Sequence, residues 1–311
     1  MRKTCLPLAL AVVLATGVVA PSTAEAQCQM TGVGTLTANY VNDVPSGPFV
    51  VTCDIGIFIS QDGVLSGVEI SGTVSDAKPV QYGIYVSGAA VTVTGSSVTV
   101  ADGYPHQFVS VTYRDGATGT IRDSVFTGAH RAGVALRGVG TDVTVSRNTV
   151  RGTGAKTSGW AENGIQVDQG AVARITNNIV TGHWWDGPSN WASTGILLFS
   201  SNSHLSNNTM TDNEFSVFVA GSDNHVSGNQ TSSTIVSQSI YNFRAWGVLI
   251  AGDRNHLAGN RVSADDGAGG VYIYPGSTAT RITGNRITGF EAPIIDGGTG
   301  TVARGNTSPT S

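Results

Sequence analysis

Residues 175–182, ITNNIVTG, set apolar and polar side chains in alternation around a central polar pair, and the same eight-residue shape returns along the chain. It is seen in VSRNTVRG at 145, LSNNTMTD at 205, LAGNRVSA at 257 and ITGNRITG at 282, and in looser form at 65, 93, 121 and 226. Between these octets lies a second recurring piece, as in GIYVSG at 83, GVALRG at 133, GIQVDQG at 164, GILLFSS at 195, SVFVAGS at 216, GVLIAGD at 247 and GVYIYPG at 270. Alternation over three to six residues marks short half-buried strands, and repeats a few tens of residues long mark stacked coils. No 3.6-residue apolar period competes with this pattern.

Each repeat therefore supplies two or three short strands separated by Gly, Asn or Asp turns, which is one coil of a parallel β-helix. The octet's fourth position holds Asn148, Asn178, Asn208, Asn229, Asn260 and Asn285, preceded by Ser96 and Ser124. Stacked at about 4.8 Å, such amides can bond one another along the column. The expected fold is all-β, a single-domain parallel β-helix of about ten coils over residues 65–306. An N-terminal cap covers 27–64 and a tail 307–311.

These G-[IV]-x-[VIL] and [VIL]-[ST]-x-N repeats resemble the right-handed parallel β-helix (pectate-lyase-like) superfamily. The likeness is closest to its short-repeat branch, associated with carbohydrate binding and sugar hydrolysis, which also holds a periplasmic copper-enzyme maturation protein. The resemblance implies a right-handed solenoid and a polysaccharide or oligosaccharide partner. Tyr104-Pro105-His106 is similar to the Asp-Pro-His element of alginate epimerases, with tyrosine in place of the aspartate.

At the N-terminus, Arg2 and Lys3 precede an apolar run from Leu6 to Ala20 and a small-x-small site at Ala24-Glu25-Ala26, so residues 1–26 read as a signal peptide and the product as secreted or periplasmic. The run is too short to span a bilayer, and no membrane anchor is expected. Cys28 and Cys53 then remain as an even pair in an oxidising compartment, the condition for one disulfide. The formal net charge of −4 becomes slightly more negative without the leader, and no basic run courts nucleic acid. No cofactor is expected.

Four connections are long: 73–82, 153–163, 183–194 and 234–246. The last three hold all five tryptophans, Trp160, Trp184, Trp185, Trp191 and Trp246, and emerge from one corner of neighbouring coils. Indoles stack on the apolar faces of sugar rings, so a tryptophan-lined groove for a largely neutral glycan is expected there. Lys156, Asn163, Gln166, His183, Asn190, Tyr241 and Arg244 are the polar candidates around it. Glycoside hydrolysis needs two carboxyls about 5 Å or roughly 6.5–9.5 Å apart. Glu162 and Asp186 are the expected acid and base, with Asp168 and Glu214 as substitutes. The competing readings are a non-catalytic glycan-binding or surface protein, a polysaccharide lyase using Lys156, His183 and Arg244, and a periplasmic metal-handling protein.

That last reading rests on His204, His225 and His256, which each precede an octet and form an outward column between Arg174 and Arg281. Outward Leu197, Phe199, Phe218, Leu249, Tyr272 and Tyr274 form an apolar stripe. It is fit for a homo-oligomer contact or a covering loop.

Overall fold

The structure, a computed structural model, describes residues 28–29, 35–36, 48–51, 55–72, 80–100, 107–157, 161–187, 192–235 and 244–309. These form an all-β, right-handed solenoid of about 8 turns. The octets' leading strands stack into a ten-stranded sheet, here the back sheet, running from Gly63–Ser66 to Val302–Arg304. All of its pairings are parallel. The last of its strands is followed only by an isolated bridge from Arg286 to Thr307, so the final rung is not a complete turn and the turns fall short of the ten coils expected.

The octets' trailing strands and the G-[IV] strands form the two remaining faces. They are counted as one 18-stranded sheet because Arg261–Ile273 and Arg286–Asp296 run unbroken around the corner between them. The G-[IV] face, called the front face below, includes Val80–Ser87, Gln107–Arg114, Ala132–Arg137, Asn163–Asp168, Thr194–Leu198, Phe215–Val219 and Trp246–Ile250. Parallel pairing already involves Pro48–Val51 and Ile55–Ile59, inside the segment read as a cap. Cys53 lies outside the described residues, and the disulfide with it.

Inside, Ile165, Val167, Ile175, Val180, Ile196, Leu198, Leu205 and Met210 are fully buried and belong to one continuous core. Each such side chain contributes about 1.5–3 kcal/mol by leaving water. The column at the octet's fourth position closes the turn between back sheet and side face. Asn178 Nδ2 donates to Asn208 Oδ1 at 2.9 Å, and equivalent bonds link Asn208 to Asn229 (2.9 Å), Asn229 to Asn260 (3.0 Å) and Asn260 to Asn285 (2.8 Å). The amide also ties down the turn: Asn178 Nδ2 reaches the Val145 carbonyl at 2.9 Å. Just before it, the chain turns through the left-handed region at Asn177 (φ 57°), Asn207 (φ 55°) and Gly228 (φ 62°), which explains why Asn and Gly alternate at this position.

The glycine of the G-[IV] motif answers to space. A Cβ on Gly164 would stand 2.4 Å from Val180 Cγ1 and 2.5 Å from the Gly195 carbonyl oxygen. At this corner the backbone passes too close to the next rung for any side chain.

Candidate functional site

The long connections are braced from within. Thr149–Lys156 and Ile179–Trp185 extend past the corner as a parallel pair, Ala155 beside Trp184 and Lys156 beside Trp185. At the register shift between Arg151 and Gly154 and at the end of the pair, backbone donors need acceptors that the ladder does not supply. Glu162 supplies one: its Oε1 accepts from Thr153 N at 2.9 Å, while Oε2 pairs with Lys156 Nζ at 3.1 Å. Lys156 Nζ also lies 3.0 Å from His130 Nδ1, and His183 Nδ1 stands 3.7 Å from Glu162 Oε1. One coil on, Glu214 Oε2 accepts from Ser193 N at 2.7 Å and Trp185 N at 3.2 Å.

Burial governs the protonation of this cluster. It raises Glu162 above the usual carboxylate range against the pull of Lys156. With no cation beside it, Glu214 is pushed up to about 8 by burial and is held neutral. Burial and the charge of Lys156 drop His183 to about 3, so this ring is neutral too.

The expected hydrolytic pair lies inside the wall of the solenoid. Glu162, Asp186 and the substitute Glu214 are all buried (0%, 3% and 2% exposed), and Glu162 and Glu214 serve as acceptors for loop amides. Trp184 and Trp185 are likewise interior, at 0% and 2% exposed, so they anchor the extended pair and offer no open stacking surface. Trp160, Trp191, Asn190 and Tyr241 lie outside the described residues, as does Tyr104-Pro105-His106. Arg244 is engaged elsewhere, with Asp266 and, at 2.7 Å, Glu291.

The remaining candidates meet on the outer side of the front face. Inward Ile165 and Val167 send Gln166 and Asp168 outward, as their alternation requires. Register places Arg114, Arg137 and Asp168 on successive rungs of one column. The next column holds Tyr85, Thr112, Ala135, Gln166, Leu197, Phe218, Leu249 and Tyr272. Arg137 Nε lies 3.4 Å from Asp168 Oδ2, and the same carboxylate accepts from Gln166 Nε2, whose Oε1 receives a bond from Asn163 Nδ2 at 3.0 Å. Asp168 Oδ1 has no hydrogen-bond partner among the described residues.

Electrostatically these residues form one unit. Burial raises Asp168 above the usual aspartate range, with Arg137 the strongest charge opposing it and Arg131 and Arg114 also contributing. Burial likewise raises the Tyr82 phenol, again with Arg137 as the strongest opposing charge. Tyr82, Arg114, Arg131 and Arg137 are absent from the sequence-based candidates. Of these only Arg137 falls within a quoted repeat, GVALRG, where alternation against the inward Val134 and Leu136 turns it outward.

Toward the C-terminal end of this face, Trp246 stacks on Phe215 with ring centroids 6.1 Å apart and meets Tyr272 at 5.5 Å; Tyr272 meets Tyr274 at 5.3 Å. Leu197, Phe215, Phe218 and Leu249 are buried within this group, and Phe199 is exposed. Of the apolar stripe, Leu197, Phe218 and Leu249 are thus buried, Tyr272 and Tyr274 half-buried and Phe199 exposed.

On the back sheet, His204, His225 and His256 do stack in register between Arg174 and Arg281. The rings of His204 and His225 are parallel within 9° at 5.0 Å, so their nitrogens project side by side and do not converge on one ion. Among the described residues no group of His, Cys, Asp and Glu is arranged to hold a metal.

No curated protein matches the chain. Solved structures that resemble it include a mutant of the periplasmic alginate epimerase AlgG, 16% identical over 86% of this chain and 76% of that one, with a TM-score of 0.48. The A-module of the Azotobacter vinelandii mannuronan C-5 epimerase AlgE6 is 13% identical over 82% and 75% of the two chains, with a TM-score of 0.31. The Streptococcus pneumoniae surface protein and adhesin PfbA is 10% identical over 86% and 90%, with a TM-score of 0.29. The family model described as the right handed beta helix region matches residues 27–230, well over half the chain, and the chain belongs to that family.

Proposed function

We propose that this chain is an exported, carbohydrate-active protein whose front face takes an acidic polysaccharide lengthwise and acts on it by proton abstraction beside a uronate carboxylate. One observation carries the reading: Arg137 Nε lies 3.4 Å from Asp168 Oδ2 with Arg114 on the preceding rung of the same outward column, and Arg131 also bears electrostatically on Asp168 and Tyr82. In a chain with little charge, three guanidiniums converging on one place favour an anionic sugar, which revises the expectation of a largely neutral glycan.

The chemistry follows from the groups present. Arg137 and Arg131 neutralise the sugar carboxylate and so stabilise the enolate formed when the C5 proton leaves. Asp168, raised by burial and with Oδ1 unpartnered, is the base. Tyr82, kept protonated by burial, is the proton donor. If the donated proton goes to the C4 oxygen as the C4–O bond breaks, the result is elimination; if it goes to C5 from the opposite side, the result is epimerisation. Asn163 and Gln166 orient Asp168, and Trp246, Tyr272 and Tyr274 provide stacking surface along the chain direction.

The test is incubation with polymannuronate, polyguluronate, polygalacturonate and a neutral β-glucan. Ultraviolet absorbance would read unsaturated uronates, proton NMR the C5 configuration, and a reducing-end assay hydrolysis. Release of reducing ends from the neutral glan alone overturns the proposal in favour of hydrolysis. Binding without any reaction supports the second reading, a non-catalytic glycan-binding protein, which the aromatic surface around Trp246 also suits.

A further inference from the structure

We propose that Arg174, His204, His225, His256 and Arg281, on the back sheet, form a proton-gated ridge that binds an extended polyuronate chain at a place separate from the front face. The five positions pair directly, rung to rung. At about 4.8 Å per rung they span roughly 19 Å in a straight line. A small anion meets one or two of them, whereas a linear polymer carrying a carboxylate on every sugar meets the whole row.

The surroundings suit that occupant. Arg174, His204, His225 and Arg281 are exposed and His256 is half-buried. Beside the row runs a parallel column of small residues, Thr176, Ser206, Ser227, Ala258 and Thr283, which leaves a shallow trough lined with hydroxyls. No acidic residue stands in either column. Asp223 bears on His225 and is itself held by Arg254 at 2.6 Å. His256 Nε2 contacts Thr283 Oγ1 at 3.1 Å.

The gate follows from crowding. Burial and the neighbouring His225 and Arg174 keep His204 below the usual histidine range, and burial, His225 and Arg281 do the same to His256. At neutral pH the row presents two terminal arginines with the uncharged rings of His204 and His256 between them. Acidification adds charge at those rings, and an anionic chain relieves the mutual repulsion along the row, so binding and proton uptake favour each other. The flanks show neither the aromatic interleaving of a nucleic-acid surface nor the apolar rim of a membrane contact.

The test uses the full mature chain and a fluorescent oligogalacturonate, with a neutral dextran oligosaccharide and a single-stranded oligonucleotide as controls, in low salt at about pH 5 and about pH 7.5. Expected is at least roughly tenfold tighter oligogalacturonate binding at the lower pH, equivalent to about 1.4 kcal/mol. This pH dependence should survive Arg137→Ala, which disables the front face, and should vanish in H204Q/H225Q/H256Q. Loss of the pH dependence in Arg137→Ala, or its persistence in the triple variant, overturns the proposal. Equal affinity for the oligonucleotide overturns the uronate assignment. Unchanged thermal unfolding of the triple variant at neutral pH confirms that the solenoid is intact, and turnover by that variant reports on the front face independently.

Discussion

Arg137 and Asp168 occupy partnered positions on adjacent rungs, with Arg137 Nε 3.4 Å from Asp168 Oδ2, and this contact joins the cationic half of the front face to a buried carboxylate. Both side chains are mostly covered, at 9% and 12% exposed, and Arg137 opposes the burial that raises Asp168. Asp168→Asn keeps the shape and the bond from Gln166 but removes the base. It should abolish turnover, by about a hundredfold or more, while oligouronate affinity changes little. Arg137→Ala should instead weaken binding and lower stability by about 2–5 kcal/mol, because it strands a buried carboxylate. Titration calorimetry and denaturant unfolding of the two variants separate these outcomes.

The asparagine column provides a test of the fold. Asn208 receives Asn178 Nδ2 and Asn178 N at 2.9 Å each, and donates to the Ile175 and Ser206 carbonyls. Truncation to alanine leaves several buried polar groups without partners. Asn208→Ala should cost about 2–4 kcal/mol in chemical unfolding, and Asn208→Asp should not restore the loss, since a carboxylate cannot donate.

Much of this scaffold was legible in the sequence because each coil repeats one constraint. ITNNIVTG and GIQVDQG record, in few residues, which side chains point inward, where the chain turns left-handed and where no Cβ fits. The site was less legible, for a physical reason. Glu162, Asp186 and Glu214 look like surface acids when polarity and loop length are the only guides, yet they are drawn inside to satisfy Thr153, Trp185 and Ser193 amides or held there by the extended pair. Trp184 was misplaced for the same cause: its strand continues past the corner, which alternation over the octet does not foretell. Asp168 and Gln166 were correctly oriented from Ile165 and Val167, but their partner Arg137 lies a full coil away, and only exact register across a variable-length connection brings the two together.

Gly164 shows how tightly that register is held. A methyl group there would meet Val180 Cγ1 at 2.4 Å, the Gly195 carbonyl oxygen at 2.5 Å and His183 Nε2 at 3.0 Å. Gly164→Ala should therefore destabilise the fold by about 1–3 kcal/mol and shift Asn163, Gln166 and Asp168 together. Activity should fall more than for an equally destabilising change far from the front face. Comparing it with Gly119→Ala on the back sheet, where a Cβ would meet the Val91 carbonyl oxygen at 2.0 Å, isolates the effect on the site.

The buried ionisable groups predict the pH dependence of stability. Glu214 titrates near 8 in the folded chain, against 4.5 ordinarily, so between those values the folded chain holds a proton that the unfolded chain has released. Stability therefore falls as pH rises through that window, and Glu162, also raised, acts in the same direction. His183 works the opposite way. Its folded value near 3 lies below the ordinary 6.5, so on acidification the unfolded chain takes up a proton that the folded chain refuses, and stability falls as pH drops. Between about 4.5 and 6.5 the slopes of Glu214 and His183 oppose each other, which places the maximum there; outside it each limb declines by at most about 1.4 kcal/mol per pH unit for each group. Thermal unfolding across pH should trace this dome. Glu214→Gln, whose amide oxygen still accepts from Trp185 and Ser193, should flatten the alkaline limb and leave the acid limb in place. An alkaline limb that persists unchanged in that variant would show that Glu214 is not the group responsible.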